Sequence, residues 1–182
     1  MRPTVLIDSK QVHLIIKRLC YELIENHDQF KDTVFLGVQP RGVQLAERIQ
    51  KELSSITAND ELFFGKLDIT FFRDDFRRRN QLIQANSTEV PFIIEDKNVV
   101  LIDDVLYTGR TIRAALDAML AYGRPRSVEL LSLIDRRFSR ELPVEAKYIG
   151  KTIDSIDSQR VTVEWKHLEG KKMDKVVLHT NN

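Results

Sequence analysis

The chain has 182 residues, of which 42% are hydrophobic and 30% charged, and its formal net charge is +1. This is an ordinary balance for a single globular domain with a sizeable core, and it excludes a global field that would draw the whole chain onto nucleic acid or an anionic membrane. No apolar run approaches the roughly 20 residues of a membrane span, no signal-peptide pattern opens the chain, and the single Cys20 cannot form an intramolecular disulfide, so a cytoplasmic protein with no membrane partner is expected.

The first seven residues read as a short strand or an arm. Asp8 and Gln11 have the spacing of a capping box, and Val12, Ile15, Ile16, Leu19, Leu23 and Ile24 recur at helical intervals to about Asn26. Cys20 reads as a packed thiol, and His13 and His27 as solvated surface histidines. Thr33 to Val38 is the first apolar strand run. It ends in Gln39-Pro40-Arg41-Gly42, a tight turn into a helix whose buried positions are Val43, Leu45, Ala46, Ile49 and Leu53. Residues 61–72 contain an alternating pattern, with Leu67, Ile69 and Phe71 against Asp68 and Thr70. From Arg73 and Asp74 through the Arg77 to Arg79 run the chain is polar and weakly periodic to about residue 90, long enough to be a functional loop. Val90, Phe92 and Ile94 then alternate, which predicts a returning strand within 89–97.

The stretch from Val99 to Thr111 organises the rest. Val99-Val100-Leu101-Ile102 is an unbroken apolar run, suited to a central parallel strand covered on both faces. Two carboxylates follow, Asp103 and Asp104, then Val105-Leu106-Tyr107-Thr108-Gly109-Arg110-Thr111, a turn rich in hydroxyl and glycine that opens an amphipathic helix. A helix N-terminus offers unpaired amides and a partial positive charge to a phosphate, and adjacent carboxylates can accept hydrogen bonds from sugar hydroxyls or hold a metal through water. Ile112, Ala115, Leu116, Met119 and Leu120 form the buried face of that helix, which Gly123 and Pro125 stop. Ser127 to Ile134, Tyr148 to Lys151, Val161 to Trp165 and Val176 to Leu178 read as later strands, with Met119 and Trp165 in the core. The expected architecture is α/β, a central parallel sheet flanked by helices in one domain over 1–182. Ligands in such sheets bind at the carboxyl ends of the strands.

The Val99 to Thr111 stretch resembles the 5-phosphoribosyl-1-pyrophosphate (PRPP) signature of type I phosphoribosyltransferases: two hydrophobic residues, two acids and a T-G-x-T tail. Further features narrow the likeness to the pyrimidine-operon regulators that double as uracil phosphoribosyltransferases. These are L-D-I-T-x-x-R-D-D from Leu67, G-R-P-x-S from Gly123, the Arg-Glu-Leu-Pro run from Arg140 and the Tyr-Ile-Gly-Lys tetrad from Tyr148. The resemblance implies transfer of phosphoribose from PRPP to uracil, giving UMP and pyrophosphate, with Mg²⁺ held through PRPP and, at most, Asp103 and Asp104. It implies Asp103, Asp104 and Arg41 as catalytic residues and Val105 to Thr111 as the PRPP loop. Gln39-Pro40-Arg41-Gly42 becomes the pyrophosphate loop, and a flexible loop at about 73–90 carries Arg73 and Asp74. A hood at about 135–160 is expected over the base, with Arg136 and Val161 as base contacts. The Arg77 to Arg79 run fits either pyrophosphate contact or a solvated loop. The likeness also implies a homo-oligomer, a dimer or higher, and binding of pyrimidine leader mRNA. Lys17, Arg18, Arg140 and Lys151 are the candidate RNA contacts, set against departures at Lys17, Tyr21, Glu145 and the Arg137-Phe138-Ser139 insertion. Two alternatives stay open: an RNA-binding regulator with weak catalysis, and transfer to a purine base.

Overall fold

The computed structural model describes residues 3–59, 61–74, 85–156 and 158–180. The apolar runs become strands β2 (Thr33–Val38), β3 (Phe63–Leu67), β4 (Asn98–Leu106), β5 (Ser127–Arg137) and β6 (Tyr148–Asp154), all parallel, in the order β3-β2-β4-β5-β6. Because every strand points the same way, every carboxyl end emerges at one edge, and β4 lies at the centre of it.

Side chains alternate across the sheet with the two-residue period of a strand. Val100 and Ile102 join Phe35, Leu131 and Leu133 on one face, beneath helices α1 (Ser9–Asn26) and α2 (Gly42–Thr57). Val99 and Leu101 join Val34 and Leu36 on the other, beneath α3 (Arg110–Met119). The predicted capping box opens α1: Gln11 N donates to Asp8 Oδ1 at 2.8 Å and Asp8 N to Gln11 Oε1 at 3.0 Å. One further 3-10 turn, Leu120–Tyr122, continues α3 before Gly123 ends it at φ 138°. Gly42 lets α2 start hard against the sheet, since a Cβ there would lie 2.3 Å from Ile102 O.

The small second layer is built elsewhere than the hood span expected at 135–160. That span holds the end of β5, an irregular segment and β6, which pairs with β5 in the main sheet. The second sheet is antiparallel, in the order β1-β8-β7, from β1 (Thr4–Ile7), β7 (Gln159–Glu164) and β8 (Lys175–Thr180). Val161, Val163, Trp165 and Val176 bury themselves in the same core as α1 and α2. Both sequence-distant ends of the chain are needed for this layer, so local pattern could not delimit it. The returning strand expected within 89–97 is reduced to a bridge between Glu89 and Lys66, whose backbones exchange two hydrogen bonds of 2.8 Å. Past that bridge Val90, Phe92 and Ile94 pack without a ladder.

His27 is corrected outright. It is 6% exposed, not solvated. It caps α1 and turns its ring inward, between the amino ends of β2, β5 and β6. There it is hydrogen-bonded to Thr33 Oγ1 at 3.0 Å and to Glu129 Oε2 and Tyr148 Oη at 3.1 Å each. Burial lowers its pKa from 6.5, against the pull of Glu129. The unfolded chain therefore takes up the proton first, and this site costs stability as pH falls below about 6.5. His27→Ala should destabilise the protein by about 2 kcal/mol, or about 4–8 °C in Tm, by leaving buried partners unsatisfied. Thermal unfolding between pH 7.5 and 5.5 should also show a weaker loss with pH than in the wild type, and an unchanged slope would contradict this account.

Candidate active site

The loop expected to take PRPP is a short bend between two rigid elements. β4 ends at Leu106, whose side chain is core and whose N–H donates to Ser132 Oγ at 3.1 Å. Gly109 caps α3 at φ 90°, a conformation that favours glycine. Tyr107, Thr108, Gly109, Arg110, Thr111 and Ile112 then line a cavity of about 150 Å³ together with Arg73, Asp103, Val105 and Leu106. The amides of the first helical turn belong to this wall, and a helix leaves them without intrahelical acceptors. Arg73 is brought to the cradle, donating to Thr111 Oγ1 at 3.2 Å. The Arg110 side chain turns outward instead. It donates to Glu141 at 2.6 Å and pairs with Asp74, while the Arg110 backbone N–H donates to Thr108 Oγ1 at 3.4 Å.

Asp103 and Asp104 sit where β4 emerges, only 7% and 6% exposed. Burial is the main force on both, raising both pKa values, with the Asp104 charge adding to the rise at Asp103 and the Asp104 carboxyl pushed from 3.8 to about 6. Arg73 opposes the rise at Asp103, and Arg41 opposes it at Asp104. Asp103 Oδ1 accepts from Asp104 N at 2.9 Å. The indole N–H of Trp165 lies near enough to Asp104 to favour its charged form, yet Asp104 Oδ2 and Trp165 Nε1 both lack a partner at full hydrogen-bond geometry. Trp165 was read from sequence only as core, which it is; its approach to the acid pair carried no sequence signal.

Gln39-Pro40-Arg41-Gly42 leads from β2 to α2 beside that pair. Arg41 donates to Val163 O of β7 at 2.8 Å and to Glu169 at 2.9 Å, bridging the main sheet to the second layer. Gln39 N donates to Leu67 O at 2.9 Å and its side chain to Ser87 O at 2.5 Å. Asp68, missed as a site residue, is buried and ties the described stem of the 73–90 loop. Its N–H donates to Thr88 Oγ1 at 3.0 Å, and its carboxylate accepts from Thr70 Oγ1 at 2.7 Å. Its place in the L-D-I-T run was the available signal. The Arg77 to Arg79 run lies outside the described residues.

Beyond the acids, a second cavity of about 440 Å³ is lined by Arg41, Asp104, Val105, Tyr107, Arg136, Gln159, Arg160, Val161 and Thr162. Arg136 and Val161 are thus brought together there, although they come from different sheets. Arg136 is buried; it donates to Ser155 Oγ at 2.8 Å and Gln159 O at 2.9 Å, and its guanidinium lies 3.9 Å from the centre of the Tyr107 ring. Among the four cations considered for RNA, Lys17, Arg18 and Lys151 are exposed. Arg18 donates to Ile149 O at 3.0 Å and to Gly150 O at 2.5 Å, which sets it beside Lys151. Arg140 does not join them: it is turned inward onto Tyr107 O and Asp135. Among the described residues, no three metal-ligating side chains converge, and no helix is long and apolar enough to cross a membrane.

A parallel sheet with a small cavity and an acid pair at its carboxyl edge defines an α/β protein with its candidate site at the strand ends. The family model described as the phosphoribosyl transferase domain matches residues 6–169. The bifunctional protein PyrR of Actinobacillus pleuropneumoniae is 42% identical over 96% of this chain and 95% of its own. The one from Enterococcus faecalis is 39% identical over 97% and 96%. Among solved structures, the hypoxanthine phosphoribosyltransferase of Trypanosoma cruzi superposes with a TM-score of 0.72 at 15% identity, covering 98% of this chain and 97% of that one, a likeness of fold. The chain belongs to the phosphoribosyltransferase family, in its PyrR group.

The acid pair sets a pH signature. As pH rises past about 4 the unfolded chain gives up its Asp104 proton while the folded chain keeps it to about 6, so stability falls across that window. Asp104→Asn should remove the loss and be more stable than wild type at pH 8, with little difference at pH 3.5. Denaturant unfolding at the two pH values checks it. An equal effect at both would mean that Asp104 is not held against its preferred charge.

Proposed function

We propose that this protein transfers the 5-phosphoribosyl group of PRPP to N1 of uracil, giving UMP and pyrophosphate. The observation that carries the reading is the order of the parts: Asp103 lines the phosphate-sized cavity, Asp104 lines the larger one beyond it, and Tyr107 lines both. A ribose held by the two carboxylates would place its 5-phosphate on the cradle and its C1 toward the larger cavity.

That cavity offers what a pyrimidine needs. In the order β1-β8-β7, β7 has one open edge. Gln159 O and Val163 O already accept from Arg136 and Arg41 on that side. The two-residue period of a strand turns Val161 the same way, so its N–H and C=O present a donor–acceptor pair to the cavity. Uracil carries the complementary acceptor and donor at O2 or O4 and N3. Stacked Tyr107 and Arg136 close one side.

In the reaction the C1–O bond to pyrophosphate breaks with its electron pair on the leaving group, and N1 bonds to C1 with loss of the N1 proton. Cationic character at the sugar ring is favoured by the adjacent carboxylates, and positioning supplies much of the rest. Arg41 and the Arg73 region balance the charge of the diphosphate. The chain's donor set suits Mg²⁺ that arrives with PRPP: two carboxylates, one with an unpartnered oxygen, leave the remaining positions to phosphate, hydroxyl and water oxygens. When bound, the ion neutralises part of the diphosphate charge. Uracil should be turned over with PRPP, and hypoxanthine, guanine and orotate far more slowly. Asp103→Asn combined with Asp104→Asn should lower kcat/KM at least 100-fold while the protein stays folded. Turnover of a purine and none of uracil would remove the base assignment and leave the reaction class.

A second activity, binding of a pyrimidine leader RNA tuned by UMP, is favoured by exposed Lys17, Arg18 and Lys151 on the α1–β6 edge and by the word bifunctional in the relatives' names. Lys17→Ala with Lys151→Ala should weaken that RNA in filter binding and reduce the salt slope by about two. Sequence-blind binding that ignores UMP would count against it.

A further inference from the structure

Arg140 stands apart from the walls of both site cavities, yet the PRPP loop leans on it. Its guanidinium donates through Nη1 to Tyr107 O and through Nη2 to the Asp135 carboxylate. Asp135 is the β5 residue paired with Leu106, the last residue of β4. Arg140 therefore bolts the first residue of the bend to the neighbouring strand. Its next neighbours continue the brace. Glu141 N and Leu142 N donate to Thr108 O at 3.0 and 3.2 Å, and the Glu141 carboxylate accepts from Arg110. Leu142 and Val144 lie 3.3–3.4 Å from where a Cβ on Gly109 would be. Tyr107, Thr108, Gly109 and Arg110 are each held from the same segment. Of the two ion pairs among these ties, Arg140–Asp135 is the more buried and Arg110–Glu141 the more exposed, so water screens the Arg140 pair less.

The local chain is shaped to deliver this contact. Phe138 adopts φ 67°, a left-handed turn unusual for an aromatic residue, two positions before Arg140. The turn falls in the Arg137-Phe138-Ser139 run between β5 and the brace. Meanwhile the Tyr107 ring, whose carbonyl Arg140 holds, carries the Arg136 guanidinium at the base end.

We propose that Arg140 is a positioning residue for the phosphate cradle, clamping Tyr107 to the end of β5 so that the turn from Thr108 to Thr111 stands ready for the 5-phosphate of PRPP. This rests on the phosphoribosyl-transfer reading but not on which base accepts. A cradle whose bend is loose must be ordered by the ligand, which weakens phosphate binding more than acceptor binding, because the acceptor cavity shares only Tyr107 and Val105 with the cradle. The full-length protein is titrated with PRPP and Mg²⁺ by calorimetry, and steady-state KM values are measured for PRPP and for the acceptor. R140A should raise the PRPP Kd and KM about tenfold and the acceptor KM by no more than about threefold. R140K, keeping the charge and one of the two bonds, should recover part of the loss. Asp135→Asn keeps Arg140 but weakens its anchor, and should raise PRPP KM about threefold; it serves as the test if R140A does not fold. An unchanged PRPP Kd in a folded R140A, or equal rises in both KM values, would overturn the proposal. Absence of PRPP binding in the wild type would overturn it together with the transfer reading, and the wild-type titration separates that failure from one confined to Arg140.

Discussion

The constraint on which the rest depends is the desolvation of two adjacent carboxylates at the tip of a central strand. Asp103 and Asp104 are buried, 7% and 6% exposed, beside a core that is almost fully enclosed. Burial drives both toward the protonated form, and only Arg41, Arg73 and neighbouring N–H groups push back. Such an arrangement is costly to the empty protein and useful to a ligand that brings hydroxyl donors or a positive centre. Asp104 Oδ2 has no hydrogen-bond partner among the described residues.

Everything else in the fold serves to hold that tip in place. β4 is flanked by β2 and β5 and covered on both faces, so its end cannot relax toward water. The parallel direction of all five strands gathers Arg41, Arg73 and Tyr107 from three connections, and Arg136 from the end of β5, to the same edge. The second sheet then closes one side through Trp165 and Val163. Arg41, which bonds Val163 O, joins the two layers at the point nearest the acids.

Several readings failed for one shared reason: a side chain's environment is set by residues far away in sequence. His27 looked like a surface residue at a helix end, and became a buried partner of Glu129 and Tyr148, more than 100 positions later. Alternation at Val90, Phe92 and Ile94 signalled a strand, but only Glu89 finds a bridge partner. Arg140 looked like one of a set of exposed cations and is used internally.

The sequence alone determined most of the elements, the parallel sheet and the strand, acid-pair and turn motif at its centre. Those depend on local physics: apolar runs, the capping box at Asp8, and a strand, two acids and a glycine turn at fixed spacing. It also named Arg41, Arg136 and Val161 through family likeness. Only the tertiary structure decided which residues form the second layer, because β1, β7 and β8 pair across almost the whole length of the chain. Only it showed the open edge of β7, the indole N–H of Trp165 near Asp104, and the brace from Arg140 to Tyr107. Those are distances between segments with no common pattern, and a distance exists only once the chain has closed upon itself.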